Sequence, residues 1–138
     1  MKNIIIESKK VREVINITVD IEAILKEHPA ADGMLHLFLR HSTAALTTAF
    51  LEEAKDLDLI GAFEIMLPHH ATKPSHEHTH HTDHLPAHVL ASLLGPHLAI
   101  PVANNKLMLG QSQAIALVEL NGPREREIVV DYKKSKEN

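Results

Sequence analysis

An α+β fold, a mostly antiparallel sheet or sandwich with two or three short helices, is what this 138-residue sequence predicts. Three observations lead there. Short apolar or alternating runs recur at both ends of the chain, helical spacing appears between them, and no regular β-α-β rhythm connects the two. Hydrophobic residues make up 44% of the chain but aromatics only 3%, so the core is aliphatic and exposed stacking platforms for bases or sugars are excluded. The length suits one domain over residues 1–138, large enough to bury a core without disulfides.

Each element has its own signal. From Asn3 to Thr18 the sequence reads as two strands near sheet edges, the first at Ile4–Ile6 and the second through Val11, Val14, Ile15 and Ile17. Asp20 is the expected N-cap of a helix carrying Ile21, Ile24, Leu25 and His28, which Pro29 ends. His28 then compensates the helix dipole or faces solvent. After Gly33 comes a central strand in which Phe38, interleaved with the leucines, predicts at least partial cover on both faces. Apolar positions from Leu51 to Met66 recur at three-to-four spacing, so a helix ends before Pro68, its outer face acidic. A histidine-rich loop follows. Pro86 then opens a short helix that Gly95 stops. HLAIPV and KLML form a hairpin around Asn104-Asn105, QAIALVEL is a further strand, and REIVVDY closes the sheet ahead of a frayed tail.

The chain has no cysteine, so thiolate zinc sites, iron–sulfur clusters and cysteine nucleophiles are excluded, and any metal must be held by nitrogen and oxygen. A formal charge of -4 without a basic tract excludes nucleic acid as the main partner. The apolar run in MKNIIIESKK is too short for a signal peptide and nothing approaches a membrane span, so the expectation is a cytoplasmic protein.

Histidine dominates the middle of the chain. Eight of the 12 lie between His69 and His88. His84 and His88 share a face if their segment is helical, and His76, His78 and His80 share a side if theirs is extended. Such a run is either a defined metal site or solvated low-complexity sequence that scavenges metal. His41 stands beside the small residues Ser42, Thr43, Ala44 and Ala45; it reads as a ligand or catalyst, or equally as a core imidazole bonded to the backbone.

Three stretches, LHLFLRHSTAALTT, PAHVLASLLGPHLAIPV and KLMLGQSQAIALVELNGPRERE, occur in that order and resemble the YjbQ-like family, sometimes labelled secondary thiamine-phosphate synthase. The resemblance runs from about Leu35 to Val130. It implies a compact α+β fold, a homotrimer, and a cleft near the subunit interface where histidines gather around a metal or anion. The family's strand-end histidine matches His41, its helix histidine His88, and its loop histidine His78 or His76. A histidine–proline–histidine loop found in one branch matches His78, His80 and His84. The late glutamine corresponds to Gln113, the acidic strand end to Glu119, and the arginines to Arg124 and Arg126. Two features depart from the pattern. Ser112 replaces the family's tryptophan, and Ala49-Phe50 stands where many members have Asn-Glu.

The chemistry this implies is a divalent metal, zinc ahead of copper, nickel or iron, held by His41, His78, His84 and His88 with a position open for water. Gln113 or Glu119 orients or deprotonates that water, and Arg124 holds the anionic group of a small phosphorylated substrate. The alternative is a trimeric module that binds metal or a phosphorylated ligand without turnover.

Overall fold

The computed structural model describes residues 1–51, 56–69 and 84–136, with the side chains of 56–58 left aside. Among the described residues eight strands make two antiparallel sheets. The larger contains β1 (Lys2–Glu7), β3 (Gly33–Leu39), β5 (His97–Ala103), β6 (Lys106–Leu107) and β8 (Glu125–Lys134), in the order β1-β8-β3-β5-β6. The smaller is β2 (Glu13–Asn16), β7 (Ala114–Glu119) and β4 (Ala44–Ala49), with β7 in the middle. The two N-terminal strands lie at edges, as predicted, but of different sheets. Helix α1 (Thr18–Leu25) follows β2, while α2 (Asp56–Met66) and α3 (Leu85–Leu94) separate β4 from β5.

Alternation in the strands decides the layering. Leu35, Leu37 and Leu39 of β3 and Ile128 and Val130 of β8 face Leu46, Ile115 and Leu117 across the two sheets, and α1 adds Ile21, Ile24 and Leu25 to the same cluster. The opposite face of the smaller sheet presents Ala45 and Val118 to Phe63 of α2 and to Ala87, Leu90 and Ala91 of α3. β7 is therefore covered on both sides, and its residues Ile115 to Glu119 are all buried. Among the described residues the outer face of the larger sheet has lighter cover: Met34 and His36 are half-buried, as partial cover of both faces of β3 requires, but Phe38, on which that expectation rested, is itself 48% exposed.

Four other expectations are corrected. Helix α1 starts at Thr18, whose N–H and hydroxyl both donate to Asn16 Oδ1, so Asp20 falls in the first turn and is not the cap. Ala44–Ala49 is a strand where patterning gave none; its small side chains fit a layer packed on both faces, which erases the period-two signal. β8 lies inside its sheet between β1 and β3, and does not close an edge. The tail is ordered through Lys134, because Ser135 N–H donates to the Asp32 carbonyl. The punctuation is as predicted. Asn104 and Asn105 take φ of 49° and 63° in the β5–β6 turn, and Pro86 and Gly95 bound α3.

Candidate functional site

At one end of the sandwich a buried ion pair joins the two sheets. Glu119 shares the inward parity of Ile115 and Leu117 on β7, and Arg126 that of Ile128 and Val130 on β8, so each points between the layers. Both are essentially inaccessible to solvent. Arg126 Nε donates to the two carboxylate oxygens at 2.9 and 3.1 Å, and its Nη2 donates to Glu119 Oε2 and to the carbonyl and hydroxyl of Thr43 at 3.0 and 2.9 Å. Ser8 Oγ and the N–H groups of Leu120 and Asn121 complete the shell around the carboxylate. Burial alone would push the Glu119 carboxyl up. The hydrogen bonds from Arg126, Ser8 and Asn121, with the Arg126 charge, overcome that and hold it below its ordinary range. Gly122 makes the close turn possible: a Cβ there would lie 2.3 Å from the Lys10 carbonyl and 2.8 Å from Glu119 Cγ.

Outside this pair lies a polar rim. Arg124 is fixed at two points, its N–H donating to Ser8 Oγ at 2.8 Å and its Nε to the Asn121 carbonyl at 2.9 Å. Its two terminal nitrogens have no partner among the described residues. The Asn121 amide also meets His84 Nδ1 at 2.9 Å. In the β3–β4 connection, His41 Nε2 accepts the Glu127 N–H at 2.8 Å. That lone pair is thereby occupied and the ring's proton sits on Nδ1. Burial lowers the His41 pKa, the nearby Arg126 and Arg124 charges lower it further, and Glu119 and Glu127 only partly oppose them.

The predicted residues thus separate. His41, His84, Glu119 and Arg124 gather at this end. Gln113 does not: it precedes β7, six residues from Glu119, about 20 Å along one strand. There its side chain bridges Gly110 N–H and Thr48 Oγ1. Glu119 is enclosed and both its oxygens are engaged by Arg126, Ser8 and two backbone N–H groups, so it does not face a solvent-side water as the proposed base requires. His88 is exposed on α3, and His78 lies outside the described residues. Among the described residues no group of three or more His, Asp or Glu side chains is arranged to hold a metal ion. For His41 to bind one through Nε2, it must first give up Glu127.

Sequence reasoning missed Ser8, Thr43, Asn121 and Glu127, each of which acts through a contact remote in the chain. A separate recess of about 560 Å³ is lined by Val11, Arg12, Glu64, Pro68 and His69, the first residue of the histidine run. Arg12 there donates to Glu64 at 3.0 Å and to the Leu67 carbonyl at 2.8 Å.

Two antiparallel sheets with helices packed against the smaller one define an α+β fold of which several structures are solved. The sequence profile described as "UPF0047 protein YjbQ-like" matches residues 2–135, and the chain belongs to that family. A UPF0047 protein of Methanothermobacter thermautotrophicus is 36% identical over 121 residues, covering 86% of this chain and 80% of the relative. The UPF0047 protein YugU of Bacillus subtilis is 30% identical, covering 91% and 93%. A YjbQ/UPF0047 protein from Clostridium acetobutylicum superposes with a TM-score of 0.84 at 26% identity, over 96% of this chain and all of the other. A protein of unknown function from Sulfolobus solfataricus gives 0.83 at 32% identity, over 94% and 92%. No helix of the described residues is long and apolar enough to cross a membrane.

Proposed function

We propose that the rim formed by His41, His84, Asn121 and Arg124 binds a small phosphorylated anion. The observation that carries this is the tethering of Arg124. With its backbone held by Ser8 and its Nε by Asn121, the guanidinium loses little freedom on binding and presents two terminal nitrogens as a fork suited to phosphate. His41, its pKa lowered by burial and by the charges of Arg126 and Arg124, offers an Nδ1–H donor in a field that favours an anion. Inorganic phosphate and thiamine monophosphate, titrated calorimetrically against wild type and Arg124→Ala, test the reading. At least a tenfold loss of affinity is expected, about 1.4 kcal/mol or more. Equal affinities for the two proteins would overturn it.

A metal-dependent enzyme is the second reading. His84 stands at the N-cap position of α3 and His88 lies one turn on, and a hydrogen bond between Asn121 and His84 Nδ1 can orient that ring with Nε2 outward for zinc. His41, on giving up the Glu127 N–H, and His78 would be its further ligands, and the metal would supply Lewis-acid activation of a water. Formation of thiamine monophosphate from its two precursors, assayed with zinc and with a chelator, separates enzyme from binder. We further propose a homotrimer, supported by the exposed Leu85, Val89 and Leu93 on one stripe of α3, with Ile65 and Met66 exposed on α2.

A further inference from the structure

We infer that His36 and His97 form a second, independent metal site: a two-imidazole chelate for a zinc-like tetrahedral ion on the outer face of the larger sheet. His36 lies on β3 and His97 opens β5. Phe38 is opposite His97 and Ala99 is opposite His36, so the two histidines are diagonal neighbours on one face. His36 Nδ1 and His97 Nε2 stand 3.4 Å apart, while the ring centroids are separated by 5.6 Å. The difference is about two imidazole radii, so the nitrogens meet edge to edge along the line joining the rings.

The separation carries the argument. Two zinc–nitrogen bonds of about 2.0–2.1 Å at a tetrahedral angle set their nitrogens about 3.3–3.4 Å apart. A square-planar ion would draw them to about 2.9 Å. The pair therefore already has the tetrahedral spacing. Metal replaces the proton shared between the rings, and side-chain rotation alone turns both lone pairs toward it. β3 is hydrogen-bonded on both sides, by β5 and β8, so the two backbones stay fixed while this happens. Asp131 of β8 lies opposite His36; although it pairs with Lys133 at 3.0 Å and with the N-terminal amine at 3.8 Å, it adds an acidic group beside the site. Water completes the coordination. This site is distinct from the rim at the end of the sandwich and does not depend on the function proposed there.

Zinc titration followed by imidazole ¹⁵N NMR tests it. The full chain carries Asn in place of His76, His78, His80 and His81, so that those imidazoles do not compete. His36 Nδ1 and His97 Nε2 are expected to shift together toward metal-bound positions, and His97→Asn to abolish the His36 response and weaken zinc binding there at least tenfold. If His97→Asn does not fold, His36→Asn makes the same test from the other ring. The inference is overturned if both resonances stay still while zinc saturates other histidines, or if His36 responds equally without its neighbour.

Discussion

Glu119 and Arg126 show how one residue pair can be structural at a place that reads as catalytic. Both ions are desolvated, so each depends on the other, and removing one charge leaves the other buried without compensation. Glu119→Gln should therefore cost about 3–5 kcal/mol, measured as a fall in the urea midpoint at unchanged m-value. A loss under about 1 kcal/mol would mean that water already solvates the pair. The inward parity of Arg126 with Ile128 and Val130, and of Glu119 with Ile115 and Leu117, is readable in the sequence and foretells a buried cation needing a carboxylate. The acceptor role of His41 is not readable. Its donor, Glu127, is 86 positions away and is set beside it only when β8 enters the sheet.

At the scale of elements, β3 announced itself by alternation and β1, β5, β7 and β8 by short runs of large apolar residues, whereas β4, packed between two layers like β7 but built from alanine and threonine, carried neither signal. The turn chemistry at Asn104-Asn105 and the ends of α3 were legible because backbone conformation dictates those residues locally. Helix α3 carries a prediction of its own. Val89 is 48% and Leu93 71% exposed, next to buried Leu90 and Ala91 that hold the helix in place. If the proposed homotrimer uses this stripe, Leu93→Asp should leave far-UV circular dichroism intact and shift sedimentation from trimer toward monomer. An unchanged sedimentation coefficient would remove α3 from the interface.

For the whole molecule, the two shifted groups make stability depend on acidity in two windows. The folded His41 has a lowered pKa, so below about 6.5 the unfolded chain takes up a proton that the folded chain resists, and stability starts to fall. Glu119 is also depressed. Its contribution is complete above the ordinary carboxyl value of about 4.3 and is lost as pH drops through the folded value. Denaturation midpoints measured against pH should show both phases; His41→Asn should remove the first and Glu119→Gln the second. One consequence concerns β7. Sandwiched between the larger sheet on one side and α2 and α3 on the other, it hydrogen-bonds to β2 and β4 along both edges. The deuterium clock should run slowest there: amides of Ile115–Val118 exchange only when the entire chain opens, while those of the solvent-facing rim turn over by local fluctuation.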